Sequence, residues 1–323
     1  MKAAVYTEYG GPDVVRIEEI VRPEPAVGEV LVRVSHSTVT TGDWRLRAAA
    51  FPGILAVAGR VMFGLTRPRN PVLGSEFAGT VAALGEGVTE FAVGDAVFGF
   101  APSGAHAEYL TIKADGAVLP LPDGVGPEAA VAVPFGGASA LVFLRDFAKL
   151  QPGQKVLVVG ASGGVGAYAV QVARLLGAEV TGVASGPREE MVRDLGAAGF
   201  VDYQTQDITA LGETFDIVFD TVGALEFAEA RKLLTPKGVF VPLNFGLREM
   251  GQALWSCFRG GQRVKIGVNE DSKADLAVLR DWMADGQLRP VVGARFPLAE
   301  IRDAHALVQG RHKQGAVVIG IAP

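Results

Sequence analysis

The sequence predicts an α/β protein in which a doubly wound parallel sheet domain is joined to a β-rich domain that the C-terminal segment completes. Three observations carry this. Short strands rich in valine and isoleucine, punctuated by glycine and proline, fill the first 120 or so positions. From Glu128 onward helices and strands alternate, the rhythm of a parallel sheet covered on both faces. At the centre, Gln154–Gly177 reads QKVLVVGASGGVGAYAVQVARLLG: an apolar strand, a glycine-rich turn and an amphipathic helix.

In order along the chain, Lys2–Tyr6, Val14–Ile20 and Glu29–Ser37 are strands, and Glu24-Pro25-Ala26-Val27-Gly28-Glu29 is the turn that delivers the third. Pro71–Leu84, Asp95–Phe100 and Ala105–Ile112 continue the pattern, which suits a partly closed barrel. Pro120, Pro122 and Pro127 mark the crossing into the second domain. There Gly136–Leu150 is helical and Val156–Val159 is a strand buried on both faces. Val165, Tyr168, Ala169, Val172, Ala173 and Leu176 then recur at helical spacing until Gly177 stops the helix. Strand Glu179–Ala184, helix Arg188–Leu195, and strands Gly199–Asp202 and Phe215–Asp220 follow. After them come helix Leu225–Leu234, strands Val239–Pro242 and Val264–Val268, and helix Ala274–Asp285. Past Pro290 the chain returns to the first domain through a helix near Leu298–Gln309 and a last strand, Ala316–Ile321. The expected domains are residues 1–122, 123–286 and the returning 287–323.

The turn Ala161-Ser162-Gly163-Gly164-Val165-Gly166 is a G-x-G-x-x-G pattern whose first glycine is alanine. Its strand-turn-helix context is that of a Rossmann dinucleotide site. Gly163 lets the backbone approach a pyrophosphate, Gly166 lets the helix pack closely on its strand, and the first-turn amides with the helix dipole hold phosphate. An NAD-preferring site ends the second strand with a carboxylate on the ribose 2′-hydroxyl. Ser185 stands there instead, followed by Gly186, Pro187 and Arg188. A small neutral residue leaves room for a 2′-phosphate, and Arg188 offers it a planar fork of donors; a solvated first helical turn is the plainer role for Arg188. The pattern favours NADPH over NADH.

Composition narrows the class. With 323 residues, 49% of them hydrophobic, the chain can bury two substantial cores. A net charge of −5 without a dense Lys/Arg tract argues against nucleic acid. Cys257 is the only cysteine, which excludes a disulfide framework and a cysteine-rich zinc site. Met1–Tyr6 runs into a strand pattern without a signal-peptide layout, so a reducing cytoplasm is the expected compartment. The apolar stretch Ala48–Leu65 contains Pro52 and Arg60, and no membrane span is expected of it.

KAAVYTEYGGPDVV at the start, PVLGSEFAGTVAALGEGVTEFAVGDAVFGF in the barrel, PGQKVLVVGASGGVGAYAVQVARLLGAEV in the centre, Val201-Asp202-Tyr203 and Phe215–Gly223 together resemble the medium-chain dehydrogenase/reductase superfamily over essentially the whole chain. Within it they are similar to the zinc-free quinone oxidoreductase (zeta-crystallin-like) branch. The resemblance implies a GroES-like barrel and a homodimer paired through the last strand of the cofactor sheet, here Arg263–Val268. Zinc-dependent relatives use an early cysteine, the histidine of a G-H-E motif and a second cysteine at the domain junction. Here Thr38–Trp44 and Pro134–Ala140 lack cysteine, Gly74-Ser75-Glu76 has serine for the histidine, and His36, His106, His305 and His312 are scattered. No zinc is expected.

The same resemblance assigns cofactor residues. Tyr203 matches a tyrosine near the adenosine phosphate, Ser139 a position facing the nicotinamide-side phosphate or ribose, and Val222, Asn244 and Val268 follow later strand ends. The cleft floor is expected at Thr40, where many relatives have asparagine, and at Asp43; capping a helix is the plainer role for both. The lysine of the usual G-K-V-V pattern is missing, because Ala316 follows Gly315; Arg311 and Lys313 stand nearby and neither is assigned its role. Phe51–Pro71 reads either as an apolar flap suited to a greasy acceptor or as extra barrel packing. The expected activity is NADPH-dependent, metal-free reduction of a small hydrophobic quinone or activated alkene. The alternatives are an enoyl-thioester reductase and an NADPH-binding protein without turnover.

Overall fold

The computed structural model describes residues 1–51, 55–258, 260–311 and 313–321. Along the chain these form β1 (Lys2–Val5), β2 (Arg16–Glu19), β3 (Glu29–Val39), α1 (Thr41–Ala48), α2 (Leu55–Phe63), β4 (Glu76–Leu84), β5 (Ala96–Phe100), β6 (Tyr109–Lys113), β7 (Val118–Pro120) and α3 (Pro127–Ala130). Next come α4 (Pro134–Val142), β8 (Lys155–Val159), α5 (Gly166–Leu175), β9 (Glu179–Ala184), α6 (Glu189–Asp194), β10 (Gly199–Asp202), β11 (Phe215–Asp220), α7 (Phe227–Leu233), β12 (Leu234–Pro242) and α8 (Leu247–Phe258). The chain closes with β13 (Arg263–Val264), α9 (Lys273–Ala284), β14 (Val292–Pro297), α10 (Ile301–Gln309) and β15 (Ala316–Gly320).

Two compact units result. The first holds Met1–Phe51, Leu55–Phe135 and the chain from Asp271 on; the second holds Gly136–Glu270. These divisions fall later at the first crossing, and earlier at the return, than the proline pattern places them. The reason is packing: α3 lies against β3, β4 and β5, and α9 lies against β7.

In the first unit a seven-stranded sheet runs β14-β15-β3-β4-β5-β7, with β6 also on β3. The long β3 makes this possible, because Glu29–Arg33 pairs with β6 while His36–Val39 pairs with β15. Its core combines Val32, Val34, Phe77 and Val97 with Ile301, Val308 and Ile319 from the returning segment. The C-terminal segment therefore completes this unit, as the sequence predicts.

The second unit is a six-stranded sheet in the order β10-β9-β8-β11-β12-β13. Every pairing in it is parallel. This is the doubly wound dinucleotide order, whose direction reverses between β8 and β11. Val156, Leu157, Val158, Val218 and Phe219 are buried in its middle strands.

Several elements depart from the sequence pattern. The helix expected over Gly136–Leu150 begins at Pro134 and turns into a π-helical stretch at Phe143–Phe147. The expected strand Val264–Val268 is only two residues long. Phe51–Pro71, read as an apolar flap or as extra barrel packing, contains α2, with Phe51 stacked on Phe63 at 5.7 Å; Pro52–Ile54 lie outside the described residues. Among the described residues one stretch, Pro127–Phe147, is long and apolar enough to cross a membrane, but 78% of its most apolar window is buried inside the protein, as befits a core helix.

Candidate active site

In the second unit the candidate cofactor residues gather at the carboxyl ends of the parallel strands. Gly160, directly after β8, has φ +83, so the left-handed position of the tight turn is here and not at residue 161. That explains the alanine. Ala161 is fully buried, donates its amide to Val183 O at 2.9 Å, and fills the space over Gly182. The two later glycines differ in kind. A β-carbon built on Gly166 would lie 2.0 Å from Gly160 O, so the strand-helix crossing itself requires glycine. A β-carbon on Gly163 would meet only Gly160 O, at 3.3 Å. The protein does not claim that space, and a phosphate needs it. Ser162, Gly164 and Val165 complete the turn, with Val165 as the N-cap of α5.

Val222 lies on this turn, since a β-carbon on Gly160 would sit 2.6 Å from its Cγ1. It is held by Asp220, whose Oδ1 accepts from the amides of Val222 at 3.0 Å and Gly223 at 2.8 Å, while Oδ2 accepts from Leu225 at 2.8 Å. Burial raises the Asp220 pKa and those amides oppose the shift. Gly223 in turn faces Asn244. Gly136 brings α4 to the turn, because its β-carbon would meet Gly164 O at 2.2 Å; Ser139, one turn on, is buried. At the next strand tips, Tyr203 donates its amide to Ala184 O at 3.2 Å, which sets it beside Ser185; Arg188 closes the short 3-10 turn after Ser185. Tyr203 is 52% exposed. Val268 is 72% exposed in the coil after β13, and no described contact joins it to this cluster.

The first unit holds a second polar centre. Thr40 is the N-cap of α1 and Asp43 its third residue, in a reciprocal capping box. Asp43 Oδ2 accepts from Thr40 N at 2.7 Å and Thr40 Oγ1 at 2.6 Å, while Oδ1 accepts from Gly74 N at 2.9 Å. Both Asp43 oxygens are thus spent on holding α1 and the loop before β4. The capping role is the one the geometry displays.

Glu76 was quoted in the sequence only for its motif, yet it is 2% exposed and central. It accepts from Thr38 Oγ1 and from Phe135 N, the latter at 2.6 Å. Burial pushes its pKa up to about 7, against the pull of those two bonds and of the Lys313 charge. Partly buried Lys313 is shifted down by loss of water, with Glu76 and Asp43 opposing. Beside them, His106 Nε2 donates to Thr38 O at 2.8 Å, which places the proton on that nitrogen.

Residues 26–123 match the alcohol dehydrogenase GroES-like domain family, and residues 195–319 match the zinc-binding dehydrogenase family. The chain is 29% identical over 340 positions to a quinone oxidoreductase of Pseudomonas aeruginosa, covering 98% of this chain and 99% of that one. It superposes on the quinone oxidoreductase from Coxiella burnetii with a TM-score of 0.87 at 25% identity, covering 100% and 99% of the two chains. It superposes on a mycobacterial protein complexed with NADPH with a TM-score of 0.80 at 26% identity, covering 99% of each chain. The chain belongs to the medium-chain dehydrogenase/reductase superfamily. It is an oxidoreductase of the quinone oxidoreductase branch.

The superfamily includes zinc enzymes, and the described donors are not gathered around a site for that metal. Among the described residues no group of three or more His, Cys, Asp or Glu is placed to hold an ion. His106 is turned onto a carbonyl, Asp43 is spent on amides, and Cys257 is exposed on α8; His312 lies outside the described residues. A nicotinamide cofactor does fit, on the open face of Gly163. The sequence reading gave Glu76 no role and left Lys313 unassigned. Their available signal was a carboxylate in a strand and a lysine in the returning segment, neither of which shows its burial.

Proposed function

We propose that the protein is an NADPH-dependent, zinc-independent reductase of small hydrophobic quinones or activated alkenes. The observation that carries this is the space beside Gly163, left open by the protein at the switch point of a parallel sheet. NADPH, when bound, supplies a hydride, and the acceptor takes it together with one proton. A quinone or enone delocalises the developing negative charge, so a few donors can serve without a Lewis acid. The amides at the start of α5 bind phosphate, Ser185 leaves room beyond the ribose, and Arg188 supplies a cation there. In the first unit Glu76, with a pKa near 7, can hold and release a proton at working pH, and the Lys313 charge acts on it. Thr40 and Asp43 orient that centre from the cap of α1.

A homodimer belongs to the same reading. β13 is the sheet edge, and although short it is packed against α8. Leu247, Met250, Leu254 and Phe258 lie at successive helical turns of α8 and are exposed, Phe258 by 83%. A second copy would cover that stripe and the open edge together. A cytoplasmic location and a small-molecule acceptor, with no nucleic-acid partner, complete the proposal.

The deciding experiment is NADPH and NADH oxidation across quinones, enones and enoyl thioesters, with and without a chelator. Turnover of an uncharged quinone or enone that survives the chelator is expected. Cofactor binding without turnover on any acceptor, or one tightly bound zinc per chain by elemental analysis, would overturn it.

A further inference from the structure

The second strand of the cofactor sheet lacks the terminal acid, but the third strand delivers one to nearly the same place. Asp202 is the last residue of β10, and its register partner on β9 is Ala184, the residue before Ser185. The Asp202 side chain crosses toward β9. A β-carbon built on Gly186 would lie 2.7 Å from Asp202 Oδ2 and 3.4 Å from its Cγ. The carboxylate therefore occupies the space a side chain at 186 would take, and it would have to swing aside for any larger residue there. The two oxygens are used unequally. Oδ1 accepts from Gln204 N at 3.0 Å, closing the turn after β10. Oδ2 accepts no hydrogen bond among the described residues.

We infer that Asp202 is the specificity-determining acid of this site, supplying from the third strand the acceptor that usually ends the second. An acid at the tip of the second strand takes the ribose 2′-hydroxyl of NAD, because a carboxylate oxygen is a strong acceptor for that donor. Oδ2 of Asp202 is a spare carboxylate oxygen lying against the backbone one residue beyond that tip. Toward a 2′-phosphate the same charge is repulsive. Arg188 and Asp202 thus pull the preference in opposite directions. Ser185 is silent between them, and the site accepts both cofactors with Asp202 restraining the advantage of NADPH.

The inference rests on the second unit being a nicotinamide site, and the test separates the two. Dissociation constants for NADPH and NADH are measured by fluorescence titration on the wild type, Asp202→Asn and Gly186→Ala. Asparagine keeps the acceptor for Gln204 N and removes the charge. Alanine at 186 displaces the carboxylate while leaving it ionised. Both variants are expected to raise the NADPH-to-NADH affinity ratio, Asp202→Asn by roughly three- to tenfold for a partly screened charge. In Asp202→Asn, NADPH tightens while NADH weakens. An unchanged ratio in both variants, or equal losses for both cofactors, overturns the role of Asp202 while the cofactor site stands. A wild type that binds neither cofactor overturns both.

Discussion

Replacing Glu76 with glutamine tests the electrostatics of the first unit without disturbing its packing. Glu76 is buried and ionises near pH 7, against an ordinary 4.5, because loss of water outweighs its bonds from Thr38 and Phe135 and the Lys313 charge. A carboxyl raised in the folded state contributes stability that is fully present below pH 4.5. Between 4.5 and about 7 the unfolded chain has lost the proton that the folded chain keeps, so the contribution falls; above about 7 the loss is complete. Two and a half pH units at about 1.4 kcal/mol each amount to about 3 to 4 kcal/mol. Glutamine is neutral throughout, keeps an acceptor for Phe135 N and has nearly the same volume. The stability of wild type minus that of Glu76→Gln should therefore drop by about 3 to 4 kcal/mol from pH 4.5 to 8, read from denaturant midpoints at a series of pH values. Parallel pH curves for the two proteins would mean that Glu76 is not held protonated by burial, and would remove it from the proton-holding role.

The two glycines of the turn should fail differently. Gly166→Ala, which drives a β-carbon to 2.0 Å from Gly160 O, should cost roughly 1–3 kcal/mol or more of stability. Gly163→Ala should melt near the wild type and lose nucleotide affinity, and equal thermal losses would contradict the contrast. Arg188→Ala should weaken NADPH by roughly ten- to a hundredfold and leave NADH nearly untouched, while Ser185→Asp should reverse the preference. Losses shared equally by both cofactors would place the 2′-phosphate elsewhere. Leu254→Glu with Phe258→Glu should convert the expected homodimer to a monomer with unchanged thermal unfolding of the first unit, as seen by light scattering and calorimetry. A wild type that is already monomeric at micromolar concentrations would remove the dimer.

The second unit was legible because its order is written in local signals. Each strand is a short apolar run ending in a polar or glycine residue, and a parallel sheet puts those endings on one rim. Hence the turn Ala161–Gly166 and the neutral Ser185 could be read from the residues themselves, while Tyr203, Val222 and Asn244 were assigned with the help of the family resemblance and Gly160 emerged only from the backbone. Where signals were weak the reading failed. β14 carries Gly293, Arg295 and Pro297 and buries only alternate residues partway, so it offers no apolar run. α8 exposes its apolar stripe, which in a sequence reads the same as a stripe turned inward. Val268 was assigned by strand count, and the strand that should have carried it ends at Val264.

The first unit shows a different limit, because its centre is made by tertiary pairing. Asp43 gains its function from Gly74 N, Glu76 from Thr38 and Phe135, and Lys313 from the charges of Glu76 and Asp43. No spacing rule joins residues 43, 76 and 313; β3 joins them, by pairing with β4 along Val30–Ser37 and with β15 along His36–Val39. Asp202 has the same origin. In the sequence it is one residue of a strand-end motif, and only the β9–β10 register turns it toward Gly186. The absence of an acid at Ser185 is a statement about one strand. A ribose meets whatever carboxylate the rim presents, so under the inference drawn for Asp202 cofactor preference would follow from the pair Arg188 and Asp202, and position 185 alone would not set it.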